Sequence, residues 1–303
     1  MTIIEQFISW LRAERRYSPL TVRNYQRDVN DLLSYLRIAP EEFSPKDVKR
    51  TDIEGWIQHL LSERKLAVTT VNRSLASIRT LWHWMMRHDI IKQEIVSTIK
   101  SYKAPKRIPV FVPNSRMDDV LELVRDDLDS DNFESVRNAV IVLLLYTSGL
   151  RLAEITAANI GDISVDMSAI RVVGKGRKTR IQPLHSSLAG ALKKYFSQIS
   201  SQNICISQKK ALILSKKGER LSQRTIERIV DSSLKSVGVQ GKSSPHVLRH
   251  TYATHLLNEG ADLREIQELM GHSSLRATEV YTHLDIERLK EVYRLAHPRG
   301  DSE

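Results

Sequence analysis

Pro245-His246-Val247-Leu248-Arg249-His250, followed by Gly271-His272-Ser273-Ser274-Leu275-Arg276-Ala277-Thr278-Glu279-Val280-Tyr281, is the stretch that decides which fold we expect. Proline is favoured at the first position of a helix, so His246 and Arg249 should share one face of an opening turn. An arginine there opposes the helix dipole, and a bound anion would remove the conflict. Together with the phenol of Tyr281, these groups suit chemistry on a phosphodiester.

Two further cationic residues lie upstream of this stretch. Arg151 follows a glycine turn within residues 147–154, Thr-Ser-Gly-Leu-Arg-Leu-Ala-Glu, and begins another helix. Its guanidinium fork fits phosphate oxygens bidentately. Lys175 lies between two glycines, in the turn of a hairpin predicted for residues 169–173 and 179–184. Two interpretations of Lys175 stay open: a solvent-exposed basic turn, or a mobile general acid whose ammonium pKa is lowered by neighbouring arginines.

Tyr281 is the candidate nucleophile of this group. A phenol with an ordinary pKa near 10 requires about 4 kcal/mol to ionise at pH 7. A cluster of two arginines, one lysine and two histidines would offset that cost by stabilising the phenolate. A lone tyrosine at this place would instead be a core or surface residue.

The histidines also allow a metal-site interpretation. His246 and His250 are four residues apart, and His255, His272 and His283 follow in the sequence. However, His255 should lie on the helix face opposite His246, and no cysteine or suitable carboxylate completes a zinc set. We therefore expect no metal.

The composition favours a globular protein with a polyanionic partner. Hydrophobic residues make up 41% of the chain and charged residues 27%, with a net charge of +10. The longest apolar run, residues 139–146, is too short to span a bilayer, and the first residues do not resemble a signal peptide. A single cysteine, Cys205, fits a reducing compartment, and its apolar neighbours predict a buried thiol. We expect a cytoplasmic protein without membrane segments.

The hydrophobic pattern divides the chain into three parts. Residues 1–102 contain four amphipathic helices, which predict a small bundle. Residues 103–116 contain three prolines and four cations without an acidic residue, which indicates an extended basic linker. Residues 117–303 combine helices with the hairpin and a short strand at 211–214. The expected fold class is therefore mainly α, with a small β-hairpin in the second domain.

Arginines lie on the polar faces of the predicted bundle, at positions 23, 27, 73 and 79. They could follow the phosphates of a nucleic acid, or they could be ordinary solvated side chains. The sequence leaves both interpretations open for each of them.

The chain as a whole resembles the tyrosine recombinase (phage integrase) family, and the likeness covers its full length. The residues at 281–285, Tyr-Thr-His-Leu-Asp, and at 296–299, Ala-His-Pro-Arg, look like the Xer branch of that family. The resemblance implies a helical core-DNA-binding domain over 1–102, the basic linker 103–116 and a catalytic domain over 117–303. It also implies a catalytic set at six positions: Arg151, Lys175, His246, Arg249, His272 and Tyr281.

The resemblance further implies roles for these residues. Tyr281 would attack the scissile phosphate to give a 3′-phosphotyrosine, while Arg151 and Arg249 hold its non-bridging oxygens and His272 bonds the phosphate. Lys175 would protonate the leaving 5′ oxygen, and His246 would assist proton transfer. Because the phosphotyrosine conserves the bond energy, neither ATP nor a metal or other cofactor is implied. Glu154 matches the acidic residue that supports the first arginine in the family.

The implied partners are a double-stranded DNA recombination site and a homo- or hetero-tetramer formed with a related recombinase, with a DNA translocase as activator. The implied role is the resolution of chromosome or plasmid dimers. Alternatives are an integrase or invertase of a mobile element, a type IB topoisomerase-like nicking-closing enzyme and a non-catalytic DNA-binding protein. A chain that ends soon after the tyrosine disfavours the topoisomerase, and a complete catalytic set disfavours a pure binding module.

Overall fold

The computed structural model describes residues 1–104, 111–174, 179–202, 204–239, 241 and 243–270, without the side chains of 263, 267 and 268. The chain divides into two compact units, Met1–Arg107 and Ile108–Glu303. The described part of the first unit is helical, and that of the second combines helices with a two-stranded sheet. The expected fold class is confirmed. The domain limits at 102, 103–116 and 117 stay a prediction.

The first unit contains the four helices that the hydrophobic pattern predicts. They are α1 Ile3–Ala13, α2 Pro19–Leu36, α3 Arg50–Gln58 with a π-helical extension His59–Glu63, and α4 Val68–Arg87. The Oγ of Ser18 accepts a hydrogen bond from the backbone N–H of Thr21 at 3.2 Å, so Ser18 caps α2. Phe7, Trp56 and Trp82 are buried in the core that the helices share.

A buried carboxylate joins α2 to α4 in this unit. Arg73 donates to both oxygens of Asp28, at 2.8 and 3.1 Å, and Ser77 donates to one of them at 2.8 Å. Arg79 in turn donates to the carbonyl of Ile99. Arg73 and Arg79 are therefore already hydrogen-bonded within the unit, and a bound phosphate would compete with these partners.

The second unit is built around α6, Phe133–Ser148, which is buried over almost its whole length. The run 139–146 forms the centre of this helix, as expected of a helix that is apolar on all sides. No helix within the described residues has the length and apolar character needed to cross a membrane. The other helices are α5 Asn114–Asp129, α7 Leu152–Ala157, α8 Ser186–Ser201, α9 Gln223–Ser236, α10 Pro245–Asn258 and α11 Leu263–Leu269, with a 3₁₀ turn at Ile160–Asp162. Helix α5 begins inside the segment expected to be a linker.

The predicted hairpin is present in the second unit. Strands β1, Ala169–Val173, and β2, Thr179–Pro183, pair in antiparallel register, with Val172 opposite Arg180. Along β1, Ile170 and Val172 are buried while Arg171 and Val173 are exposed, so the register places Arg180 on the inward face.

Two sequence-based expectations for this unit are wrong. Residues 211–214 are buried but form only isolated bridges, Ala211 to Asn159 and Leu214 to Arg220, because the chain does not stay beside one partner long enough to make a strand. Cys205 is exposed rather than buried. It lies in an irregular segment, where apolar neighbours do not fix the direction of a side chain; Ile206 is exposed as well.

Candidate active site

Arg151 is held at the start of α7 by Glu154, the residue three positions later. The backbone N–H of Arg151 donates to Oε2 of Glu154 at 2.8 Å, and its Nη1 donates to Oε1 at 2.9 Å. Both the main chain and the guanidinium of Arg151 are therefore fixed by one carboxylate. The support of Arg151 that the sequence suggested for Glu154 is present in the structure.

The carboxylate of Glu154 is buried and has a second cationic partner. Arg180 of β2 donates to its two oxygens at 2.7 and 3.0 Å, in a bidentate arrangement. Burial alone would raise the pKa of Glu154, but the hydrogen bonds from Arg180 and Arg151 outweigh burial and lower that pKa below its ordinary value. Glu154 is thus an anion that orients two arginines.

Arg249, the fifth residue of α10, is held near Arg151 by hydrogen bonds to backbone carbonyls. Its Nη1 donates to the carbonyl of Gly149, two residues before Arg151, and its Nη2 donates to the carbonyl of Met270. Burial lowers the pKa of Arg249 to about 10, and the nearby charge of Arg151 contributes in the same direction. The guanidinium stays protonated at neutral pH, so Arg249 and Arg151 form a site with an excess of positive charge.

Gly149 makes this junction between α6 and α7 possible. Its φ of +57° lies in the left-handed region, where glycine has no steric penalty. A Cβ atom here would lie 2.5 Å from Cδ1 of Tyr252 and 3.2 Å from Sδ of Met270. A side chain at position 149 would therefore push α10 away from the turn that carries Arg151.

On the face that carries Thr251 and His255, helix α10 is hydrogen-bonded to Val112, in the segment that precedes α5. The Oγ1 of Thr251 accepts from the N–H of Val112 at 2.8 Å. The ring of His255 is 3.2 Å from the Val112 carbonyl through Nε2 and 3.0 Å from the hydroxyl of Tyr146 through Nδ1. Burial lowers the pKa of His255, so its neutral form is favoured. His255 acts in packing, on the side of α10 away from the exposed His246.

The structure brings Arg151 and Arg249 together, and His246 is exposed in the first turn of α10. Lys175, His272 and Tyr281 lie outside the described residues. Within the described part of the chain, no group of three or more histidine, cysteine, aspartate and glutamate side chains could hold a metal ion. Two neighbouring guanidinium groups suit an oxyanion, and a phosphodiester, which shares its negative charge between two oxygens, is one such group.

Two participants in the site were not identified from the sequence. The sequence presents Arg180 only as one of several cations beside the turn at 175, and Gly149 only as the glycine of the turn before Arg151. The alternation of buried and exposed residues in β1, combined with a hairpin register, would have placed Arg180 inward. The contact of Gly149 with Tyr252 has no local sequence signal, because it joins residues about a hundred positions apart.

Comparison with known proteins agrees with this geometry. Residues 116–288 match the model of the phage integrase family, and residues 4–89 match the model of the phage integrase N-terminal SAM-like domain. The chain belongs to the phage integrase family, the tyrosine recombinases. It is an enzyme that cleaves and rejoins DNA strands.

The likeness to relatives and to solved structures extends over nearly the whole chain. Tyrosine recombinase XerC of Pelotomaculum thermopropionicum is 37% identical, covering 98% of each chain, and tyrosine recombinase XerD of Oceanobacillus iheyensis is 33% identical over the same shares. The post-cleavage complex of XerH recombinase with a palindromic difH substrate is similar in fold, with a TM-score of 0.68, 20% identity and coverage of 95% of this chain and 83% of the other.

Proposed function

We propose that this chain is a site-specific recombinase of the Xer type, which resolves dimers of a chromosome or plasmid through a 3′-phosphotyrosine at Tyr281. The observation that carries the proposal is the junction at Gly149. There, Arg249 from one helix start meets Arg151 from another, and Glu154 fixes Arg151 in place. Relatives named XerC and XerD match over almost their entire length, which supports the Xer assignment.

In the proposed reaction, Arg151 and Arg249 bind the non-bridging oxygens of the scissile phosphate, and His272 donates a further hydrogen bond. The phenolic oxygen of Tyr281 forms a bond to phosphorus as the bond to the 5′ oxygen breaks. Lys175 gives its proton to the leaving 5′ oxygen, and His246 assists in moving the phenolic proton. Rejoining is the reverse reaction with a 5′-hydroxyl from another strand, so no energy source is consumed.

The proposed partners follow from this reaction. The substrate is a double-stranded recombination site, and four protomers, of this chain alone or with a related recombinase, exchange strands in two pairs. A DNA translocase is proposed as the activator, and the cytoplasm as the compartment. Such an assembly would use the net charge of +10 to bind the phosphate backbone at several places.

Sequencing of covalent protein–DNA adducts trapped in cells tests the proposal. We expect the adducts to concentrate at one site that belongs to the chromosome or to a plasmid backbone, and to disappear in a strain that carries Tyr281→Phe. Adducts at the ends of a mobile element would instead assign the chain as an integrase or invertase. The absence of any Tyr281-dependent adduct would contradict the proposed chemistry.

The role of Lys175 as general acid can be tested separately. Lys175→Ala should be almost inactive on ordinary DNA, but it should cleave a substrate with sulfur at the 5′-bridging position, because a thiolate leaves without protonation. Lys178→Ala, three residues further along the sequence, is the matched control and should keep the wild-type ratio of rates on the two substrates. An equal loss of Lys175→Ala on both substrates would make Lys175 a DNA-binding residue.

A further inference from the structure

Arg180 has no part in the proposed reaction, yet it is hydrogen-bonded to Glu154, the residue that holds Arg151. Its side chain is only 12% exposed, and its two terminal nitrogens donate to the two oxygens of Glu154. Its Nε lies 3.4 Å from Oε1 of Gln182, the next inward residue of β2. The guanidinium is therefore fixed by the strand that carries it and by the carboxylate that it binds.

The position of Glu154 depends on this contact. Its side chain is 4% exposed, and Arg151, its other partner, is 36% exposed. A buried carboxylate that loses one of two cationic partners keeps its desolvation cost and must move towards the remaining partner or take up a proton. Either change would alter the direction in which Glu154 holds the guanidinium of Arg151.

We infer that Arg180 is a positioning residue for DNA cleavage, which sets the orientation of Arg151 by neutralising and fixing the carboxylate of Glu154. The inference rests on the proposed function, in which Arg151 binds the scissile phosphate. Arg180 acts through Glu154 and not on the DNA. Arg180 also joins β2 to the start of α7, which holds the hairpin in a fixed position relative to Arg151.

The test compares Arg180→Gln in the wild-type and in the Glu154→Gln background, with a nicked duplex that carries the site found by adduct mapping. In the wild-type background, single-turnover formation of the covalent adduct should slow roughly 10²-fold, since a misplaced contact group costs about that much. The Kd for the same duplex should stay within about twofold, because phosphate contacts spread over the protein dominate affinity. In the Glu154→Gln background, the added effect of Arg180→Gln should shrink to about twofold.

A matched control separates positioning from general destabilisation. Arg137 is even more buried than Arg180 and pairs with Glu134 at 3.5 Å, but it lies on α6 twelve residues before Gly149, about 18 Å away along the helix. Arg137→Gln should lower the Tm and leave the cleavage rate near that of the wild type. Arg180→Lys, which keeps the charge without the bidentate fork, should recover part of the rate.

The outcomes decide between distinct roles. An equal loss from Arg180→Gln in both backgrounds would overturn the inference, because Arg180 would then act independently of Glu154; so would a wild-type rate in Arg180→Gln. If Arg180→Gln does not fold, Arg180→Lys carries the same comparison in the two backgrounds. A wild-type protein that forms no adduct through Tyr281 would overturn the proposed function instead.

Discussion

Replacing Tyr281 with phenylalanine should abolish covalent adduct formation on nicked DNA while leaving site binding within about twofold of the wild type. The phenylalanine keeps the ring but removes the oxygen that bonds to phosphorus, and no cation is lost. A nucleophile has no partial substitute, so the effect is the largest that a single change in the site can produce. The measurement is the fraction of labelled duplex that becomes protein-linked after a long incubation.

The control for Tyr281→Phe is Tyr293→Phe, which changes the next tyrosine along the chain. Tyr293→Phe should form adducts at the wild-type rate. If Tyr281→Phe still gives a tyrosine-linked adduct, peptide mapping of the linked residue would identify the true nucleophile, and the assignment of Tyr281 would be wrong.

The elements that the sequence predicts well are those with local causes. Ser18 and Ser222 cap α2 and α9, because their hydroxyls accept hydrogen bonds from the first turn of each helix. Ser244 precedes α10 without such a hydrogen bond, and the local signal there is Pro245 at the first helical position. The hairpin follows from two apolar runs around a glycine-containing turn. The failed strand at 211–214 had an apolar run but no partner strand, and a partner is not a local property.

In the candidate site, too, the sequence predicts features with a local cause and misses contacts between distant residues. The sequence marks Arg151 and Arg249 as oddities, because each stands at a helix start against the dipole. It does not show that the carbonyl of Gly149 accepts from Arg249, nor that Arg180 and Arg151 share one carboxylate. The Arg249–Gly149 contact joins residues 100 positions apart, and the Arg180–Glu154 contact joins residues 26 positions apart. Both contacts depend on how α6, α7, α10 and β2 pack. Packing of this kind is decided by the whole core.

Arg249→Ala should reduce adduct formation by about 10²- to 10³-fold, the loss typical of removing one preorganised donor from a transition state that carries developing charge. Its effect on folding should be small, because two opposing changes occur. The carbonyls of Gly149 and Met270 lose a donor, which destabilises the fold. At the same time, a buried cation whose pKa is lowered to about 10 disappears from beside Arg151, which relieves desolvation and repulsion.

Arg220 provides a matched control for Arg249, because it also donates to two backbone carbonyls of the same unit. Its Nη1 lies 2.6 Å from the carbonyl oxygen of Thr156 and 2.8 Å from that of Ala158, near the end of α7. These bonds close the end of α7, so Arg220→Ala should lower the Tm and, below that Tm, cleave DNA near the wild-type rate. Arg249→Ala should show the reverse pattern, with cleavage lost and Tm nearly kept. Parallel losses of Tm and cleavage in both variants would mean that Arg249 is a structural arginine, and the phosphate site would then have to be built around Arg151 alone.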